Sequence, residues 1–360
     1  MSDGRVRVLH FGTYERAYPR NAQVASALRG AGVEVVERHV PVWDGARDWT
    51  AGPGTAVRIG LAELRLARRV PADVDVVLVG YPGQPDVPVA RRAARGRPVV
   101  FDALVSLHET LVEDRRRFRP GSVAARALLA LDRAALRAAD LVVADTQANA
   151  DFLAALAGLP PARVEVCLVG AEDRLFGPGW RPAEPWTCLF VGKLIPLHGV
   201  ETILAAARLA PEIPFRIVGS GQLEPLLADR PPNVEWVPWV AYEELPGELY
   251  RAGCALGVFG RSPKAARVIP NKAYQALACG TPLVTAATPA ARELLADGEN
   301  ALLVPPADPD ALLAAVRRLR DDAGLAERIA AGGRAVYEKR ASEDVLGARW
   351  RALLERLCGA

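Results

Sequence analysis

The sequence has few cysteines and no long apolar run, and each shortage excludes a class of protein. Its five cysteines are odd in number and widely spaced, and no pair has the spacing of metal ligands. This usage excludes a disulfide framework and indicates reduced cysteines in a cytosolic protein. No apolar leader precedes the first predicted strand, and no run of about 18 apolar residues could span a bilayer. We therefore expect a cytoplasmic location.

A strong excess of charge of one sign is also missing. The formal net charge is +3, so the chain lacks the concentrated basic face typical of nucleic-acid binding, and we expect no nucleic-acid partner. One local basic cluster comprises Arg115, Arg116, Arg117 and Arg119 around Phe118. This cluster is either a solvated face or a contact for anionic lipid, which leaves peripheral membrane contact open. The oligomeric state is unknown.

Short β-branched runs alternate with segments rich in Ala, Leu and Arg along the chain. This alternation predicts an α/β fold with two doubly wound, Rossmann-like parallel sheets. The segment GPGWRPAEP, from Gly177 to Pro185, interrupts the pattern with turn-forming residues. We therefore expect an N-terminal domain over 1–178 and a C-terminal domain over 186–340. A final helix over 341–360 carries an apolar stripe and is expected to cross back to the first domain.

Helix-capping patterns support this reading of the second domain. Thr288 and Asp308 each precede a proline, an arrangement that places an N-cap oxygen before the first helical residue. These patterns predict helices over 289–296 and 310–320.

The turn FVGKLIPLHG follows the first strand of the second domain. Ligands of open parallel sheets bind at the carboxyl ends of the strands, where glycines let backbone amides approach phosphate. Gly192, Lys193 and Gly199 are therefore candidate phosphate contacts. The alternative is that both glycines only permit tight turns and that Lys193 is solvated.

Three motifs follow one another in the second domain: FVGKLIPLHG, VGSGQ and YQALACGTPLV. In this order and register the chain resembles the retaining nucleotide-sugar glycosyltransferases of family 4, and HFGTYERAYPRN and VVADTQ extend the resemblance more weakly to the first domain. The resemblance implies a GT-B fold, with two domains facing across a cleft, and transfer with retention and without a metal or cofactor. The implied donor is a nucleotide diphosphate sugar, UDP favoured over GDP, and the implied acceptor is a glycan, a glycolipid or a small molecule.

The helix after Pro270 brings Asn271, Lys272 and Gln275 to one side, and its N-terminus can offer amides to a diphosphate. By resemblance, Gln275 stands at the position of the ribose-binding glutamate, and Arg267 stands at that of a second glutamate. Neither carboxylate of the common family pattern is present. We interpret the loop before this helix as a basic clamp on the diphosphate, with an exposed basic loop as the alternative.

The resemblance and the strand ends together give a set of candidate site residues. The expected catalytic residues are Asp102, His108 and Lys193, of which Lys193 would stabilise charge on the leaving diphosphate. Arg16 or Arg20 could reach an acceptor. His108 and His198 could equally be structural or solvated loop residues. The residues expected to contact the donor are Gly12, Thr13, Gly192, Lys193, His198, Gly219, Lys264, Arg267, Asn271, Lys272 and Gln275.

Two other functions and a metal site are alternatives that the sequence supports less well. The missing glutamates suit a non-catalytic GT-B subunit that binds a nucleotide sugar. A dehydrogenase is disfavoured, because the loop at Gly12 is not a GxGxxG fingerprint. Asp73 and Asp75 form a DxD pair, but the pair leads directly into a strand and is better interpreted as a cap than as a metal site.

Overall fold

The computed structural model describes residues 6–16, 18–43, 54–68 and 70–359. The chain divides into two compact units. Unit 1 comprises Met1–Leu168 and Glu343–Ala360, and unit 2 comprises Val169–Ser342. Within the described ranges, no helix combines the length and apolarity that crossing a bilayer requires.

Unit 1 is built on a parallel sheet. Its strands are β1 (Arg7–Gly12), β2 (Glu34–His39), β3 (Val76–Val79), β4 (Val99–Asp102), β5 (Leu141–Ala144) and β6 (Val164–Val166). Their order in the sheet is β2-β1-β3-β4-β5-β6. β3, β4 and β5 are buried along their whole length, as expected for parallel strands that are covered on both faces.

Helices connect these strands. They are α1 (Pro19–Gly30), α2 (Thr55–Leu66), α3 (Asp86–Ala94), α4 (Val123–Ala138), α5 (Gln147–Ala157) and, from the end of the chain, α11 (Glu343–Gly359). α11 packs closely on α1. The contact is tightest at Gly347, where an added methyl group would come 2.4 Å from the carbonyl oxygen of Ala27. Trp350 of α11 is buried against Arg20 of α1, with 5.7 Å between the guanidinium carbon and the ring centroid.

Unit 2 repeats the plan. Its strands are β7 (Cys188–Val191), β8 (Phe215–Val218), β9 (Val234–Val237), β10 (Cys254–Leu256), β11 (Leu283–Ala286) and β12 (Leu302–Val304), and its helices are α6 (Val200–Leu209), α7 (Leu245–Arg251), α8 (Asn271–Cys279), α9 (Pro309–Asp321) and α10 (Ala323–Arg340). The strands are parallel in the order β12-β11-β10-β7-β8-β9. Phe190, Phe215 and Ile217 lie in its apolar core.

The predicted fold class is confirmed, with two six-stranded parallel sheets. The predicted linker is part of unit 2, since the amides of Gly179 and Trp180 both donate to the carbonyl oxygen of Cys279. The chain divides after Leu168, earlier than the expected linker. The last helix belongs to unit 1.

One helix prediction in unit 2 needs correction, and one helix has no counterpart among the predictions. The stretch predicted as a helix over 289–296 contains a short 3-10 turn, Ala291–Glu293, which Thr288 caps. The sequence gives no prediction for helix α10, which contains the adjacent glycines 332 and 333. Gly332 is required there by packing, since a methyl group on it would come 2.1 Å from the carbonyl oxygen of Glu299.

Candidate functional site

Two glycine turns pack against each other at the carboxyl ends of β7 and β8. Gly192 follows β7 with φ +147° and Gly219 follows β8 with φ +136°. A methyl group on Gly219 would come 2.1 Å from the carbonyl oxygen of Gly192. Both positions therefore require glycine for conformation, and Gly219 also requires it for space. This packing fixes the turn that was expected to approach phosphate.

Lys272, the second residue of α8, lies directly over Gly192. A methyl group on Gly192 would come 2.7 Å from the Lys272 Nζ, which sits 3.7 Å from the centroid of the Phe190 ring. Lys272 is 8% exposed, and its Nζ has no hydrogen-bond partner among the described residues. Burial lowers its pKa well below the ordinary 10.5. A buried amine without an acceptor is costly, so this geometry points to an anionic ligand.

His198 packs against the same turn. It ends the 3-10 turn Pro196–His198, and its Nδ1 is hydrogen-bonded to the carbonyl oxygen of Lys193. The imidazole is buried edge-on to Phe190, with 5.7 Å between ring centroids. The structure thus brings Gly192, His198 and Lys272 together, and we call these three residues with Phe190 the Gly192 cradle. The side chain of Lys193 is half-buried beside it.

The N-terminus of α8 contributes to the cradle through Lys272. Pro270 precedes the helix in an extended conformation, and no side chain caps the first turn. Asn271 and Lys272 therefore place their amides at the positive end of the helix dipole. Just before it, Lys264 and Arg267 lie on a 3-10 turn, where the Arg267 amide donates to the Lys264 carbonyl at 3.0 Å. Lys264 is buried, and burial lowers the pKa of Arg267, so this loop is not simply an exposed basic segment.

Gln275 lies one turn further along α8, in a polar group that the sequence did not reveal. Its Nε2 is 3.4 Å from the hydroxyl of Tyr242, to which it donates. Burial and the neighbouring Glu172 carboxylate raise the pKa of Tyr242. Arg174 donates to Glu172 at 2.6 Å. A buried carboxylate therefore stands near the position where the family's glutamate is missing, but no sequence motif marked Glu172 or Tyr242.

In unit 1 the turn at Gly12 and Thr13, which was expected to face the donor, already binds a carboxylate of the protein itself. The Thr13 amide donates to Asp86 Oδ2 at 2.8 Å, and its hydroxyl donates to Oδ1 at 3.1 Å. A methyl group on Gly12 would come 2.3 Å from Asp86 Oδ2. Thr13 and Asp86 are both buried. This corrects the expectation that the Thr13 amide is open to a ligand, because it already donates to the Asp86 carboxylate. Contact between Gly12 and the donor stays a prediction.

Asp102 and Arg20 form a buried ion pair. The guanidinium of Arg20 donates to both carboxylate oxygens of Asp102, at 2.8 and 2.9 Å, and to the carbonyl oxygens of Cys167 and Leu168. Arg20 is fully buried and cannot reach an acceptor, which corrects that expectation. The geometry favours a structural role for Asp102, whose catalytic role stays a prediction. Arg16 is exposed and pairs with Glu37 at 2.7 Å.

His108 begins a π-helical turn after β4. Its amide donates to Asp132 Oδ2 at 2.9 Å, and its Nδ1 lies 3.4 Å from Glu113. Its side chain is partly exposed, so a role beside a substrate stays a prediction.

The two aspartates of the DxD pair bind the first residue of β1. Both Asp73 and Asp75 bind Arg7, Asp75 through the backbone amide and Asp73 through the guanidinium. In the part of the chain that the structure describes, no group of three His, Cys, Asp or Glu side chains is arranged as metal ligands would be.

The sequence matches known glycosyltransferases. The family described as glycosyl transferases group 1 matches residues 185–322. The chain is 30% identical to D-inositol 3-phosphate glycosyltransferase 1 of Catenulispora acidiphila, over 90% of this chain and 79% of that protein. It is 31% identical to the D-inositol 3-phosphate glycosyltransferase of Thermomonospora curvata, over 61% of this chain and 56% of that protein.

Solved structures show the same fold. Sucrose-phosphate synthase of Thermosynechococcus elongatus matches with a TM-score of 0.76 at 19% identity, covering 99% of this chain and 100% of that one. Alr3699/HepE of Anabaena in complex with UDP-glucose matches with a TM-score of 0.70 at 16% identity, covering 98% of this chain and 100% of that one. The chain belongs to glycosyltransferase family 4 and has the GT-B fold.

Proposed function

We propose that the chain is a retaining glycosyltransferase that takes its sugar from UDP-sugar and works without a metal ion. The observation that carries this proposal is the unpartnered, buried Nζ of Lys272 over Gly192. Glycosyl transfer leaves a nucleoside diphosphate, whose growing negative charge must be stabilised. The Lys272 amine and the N-terminus of α8 supply positive charge at the same place, which is the work that a metal ion does in other transferases.

The chemistry in this proposal needs no protein nucleophile. The bond between the anomeric carbon and the diphosphate oxygen breaks while the acceptor hydroxyl bonds to the same face of that carbon. The proton of the hydroxyl passes to an oxygen of the leaving diphosphate. The protein supplies position and charge: Gly192 permits close approach, Lys272 and His198 flank the diphosphate, and Lys193 adds a cation at the edge of the cradle.

We propose that the polar group around Gln275 binds the nucleoside. The Gln275 amide and the Tyr242 hydroxyl can both hydrogen-bond ribose, and Glu172 holds Tyr242 in place. UDP is favoured over GDP because HepE, which has the same fold, was crystallised with UDP and with UDP-glucose. The remaining donor contacts proposed are those of Asn271, Lys264 and Arg267.

We assign the acceptor to unit 1 and favour a small phosphorylated polyol. The support is the name of the relatives that match this chain, D-inositol 3-phosphate glycosyltransferases. A glycan and a glycolipid are the alternatives, and an acceptor panel with all three separates them. A cytoplasmic location is part of this proposal, supported by five cysteines that are free, four of them buried.

The test compares nucleotides by thermal shift. UDP, GDP, ADP, dTDP and NAD are added to the native chain, to Lys272→Met and to Lys339→Met, a matched control at an exposed lysine of α10. We expect UDP to raise the melting temperature of the native chain and of Lys339→Met, and to lose this effect in Lys272→Met. An equal rise in melting temperature in all three proteins would show that Lys272 does not contact UDP. Transfer assays with a chelator present, read by NMR for anomeric configuration, then test metal independence and retention.

A non-catalytic nucleotide-sugar subunit is the second candidate. The observation that favours it is the absence of both family glutamates, with Arg267 and Gln275 in their place. A single-turnover assay with radiolabelled UDP-glucose separates the two functions. Binding without transfer to any acceptor and without slow donor hydrolysis would support the subunit, whereas either reaction would exclude it.

A further inference from the structure

The loop over 257–270 connects β10 to α8, and both of its ends pack against the Gly192 cradle. Near its start the Phe259 amide donates to the carbonyl oxygen of His198 at 3.0 Å. Just past its end Lys272 lies over Gly192, with its Nζ 2.7 Å from the position of an added methyl group. We call this segment the cradle loop. Its middle must therefore lie close to any ligand that the cradle binds.

Hydrogen bonds hold the middle of the cradle loop. The Arg267 amide donates to the carbonyl oxygen of Lys264 at 3.0 Å, and the Ala290 amide donates to the carbonyl oxygen of Ala266 at 3.2 Å. The first bond forms a 3-10 turn, and the second ties that turn to the segment after β11. The backbone that carries Lys264 and Arg267 is thus fixed within unit 2.

The cradle loop and the start of α8 are basic. The sequence over 257–275, GVFGRSPKAARVIPNKAYQ, contains no aspartate or glutamate. Its basic residues are Arg261, Lys264, Arg267 and Lys272. The neighbouring turn contributes one charge of each sign, Arg292 and Glu293, and so it does not offset this excess.

Two of these cations suit a ligand beside the cradle. Arg261 is exposed and donates to the carbonyl oxygen of Ala307 at 3.3 Å, away from the cradle. Lys264 is 7% exposed, and burial lowers the pKa of Arg267. Because water screens buried charges weakly, Lys264 and Arg267 should act strongly on an anion near them.

The order of the parts of a nucleotide sugar indicates which part these cations meet, a step that rests on the proposed function. The ribose is proposed at Gln275, and the diphosphate at Lys272, one turn earlier in α8. The transferred sugar is attached to the phosphate far from the ribose, so it would extend past the N-terminus of α8 towards the cradle loop. Lys272 and the helix dipole already complement the diphosphate. Lys264 and Arg267 are then left for a further anionic group on the sugar.

We propose that Lys264 and Arg267 select a donor whose sugar carries a carboxylate, a UDP-hexuronate. A guanidinium can bind a carboxylate through two parallel charge-assisted hydrogen bonds. A neutral sugar offers only hydroxyl groups, which compensate the desolvation of the two cations less well. The donor is the source of this carboxylate because the cations lie in unit 2, whereas the acceptor is assigned to unit 1.

Isothermal titration calorimetry with UDP-glucuronate, UDP-glucose and UDP tests this proposal. The two sugar nucleotides differ only at carbon 6 of the sugar, which is a carboxylate in one and a hydroxymethyl group in the other. The proteins are the native chain, Arg267→Gln, Arg267→Lys and the control Lys339→Met. The quantity compared is the ratio of the affinities for UDP-glucuronate and UDP-glucose. A loss of affinity that all nucleotides share cancels in this ratio.

We expect the native chain to bind UDP-glucuronate at least about tenfold more tightly than UDP-glucose, since hydrogen bonds between charged groups are the stronger kind. Arg267→Gln should lower this ratio at least about fivefold. Arg267→Lys keeps the charge but loses the two parallel hydrogen bonds, so it should lower the ratio less. Lys339→Met should leave the ratio unchanged.

The outcomes separate this inference from the proposed function. UDP binding without a preference for UDP-glucuronate would overturn the inference and leave the proposed function standing, and the native chain alone decides this point. No binding of any of the three nucleotides would overturn both. A preference that Arg267→Gln leaves intact would overturn the assignment to the cradle loop. Equal donor affinities, with an Arg267→Gln defect confined to a phosphorylated acceptor, would instead assign these cations to the acceptor.

Discussion

Replacing Lys272 by methionine separates a ligand-binding role from a structural one. Methionine keeps most of the length of the side chain and removes the amine. The amine of the native chain is buried against Phe190 without a hydrogen-bond acceptor among the described residues. Its removal should therefore leave the melting temperature of the ligand-free protein unchanged or higher, because a buried polar group without a partner is destabilising.

The loss in donor affinity can be estimated from the interaction that the amine would make. A hydrogen bond to a charged group contributes about 1.5–3 kcal/mol. With each 1.4 kcal/mol equal to a factor of ten, Lys272→Met should weaken UDP binding by roughly 10- to 150-fold. Isothermal titration calorimetry measures this change directly, and Lys339→Met provides the reference.

The same amine makes both stability and binding depend on pH. Its folded-state pKa lies well below the ordinary 10.5, so between those two values the unfolded chain binds more protons, and stability rises with pH. A bound diphosphate favours the charged amine and raises its pKa. Binding then takes up a proton, and UDP affinity falls as pH rises between the free and bound pKa values. Calorimetry in buffers of different ionisation heat detects this proton uptake, which Lys272→Met should abolish.

Two results would refute this reasoning. UDP binding that Lys272→Met leaves unchanged would show that the amine does not contact the donor. A large loss of stability in the ligand-free variant would show that Lys272 supports the fold.

Three further changes test other parts of the site. Gln275→Glu restores the carboxylate of the family pattern and should tighten UDP binding by roughly fivefold in calorimetry, since charged hydrogen bonds are stronger; no change would argue against a ribose contact. Breaking the buried pair by Arg20→Met or Asp102→Asn should cost about 3–5 kcal/mol in urea unfolding, and near-native stability of either variant would disprove its structural role. Gly219→Ala should destabilise the protein by at least about 1–3 kcal/mol in the same assay, because its methyl group would meet the Gly192 carbonyl.

The sequence was sufficient for the sheets because buried parallel strands leave a clear pattern. β3 reads VVLV and is buried throughout, and β4 reads VVFD. Helix ends that depend on a capping residue could also be predicted. Asp308, for example, accepts a hydrogen bond from the Ala311 amide at the start of α9. Gly280 ends α8 in the left-handed conformation. These features depend on neighbours within a few residues, and so the local sequence contains the information.

Features that depend on distant residues could not be predicted. No motif connects Glu172 with Gln275, and their proximity through Tyr242 arises from the folded chain. The sequence does not predict helix α10 for the same reason, since Gly332 is explained by its contact with the carbonyl of Glu299 and not by its own helix. Sequence reasoning identified Lys272 as a candidate, but only the structure shows that its amine is buried without a partner.

The two units differ in what occupies their first glycine turn, and this difference supports the proposal that the donor binds in unit 2. Gly12 ends the first strand of its sheet and Gly192 follows the first strand of the other, both with positive φ. In unit 1 the Asp86 carboxylate fills the space before Gly12 and accepts the Thr13 amide, so a diphosphate there would meet a negative charge. In unit 2 the corresponding space faces the Lys272 amine. We therefore expect the first turn to repel a nucleoside diphosphate and the second turn to attract it. Asp86→Asn should accordingly leave UDP affinity unchanged, whereas a change comparable to that of Lys272→Met would place the donor in unit 1.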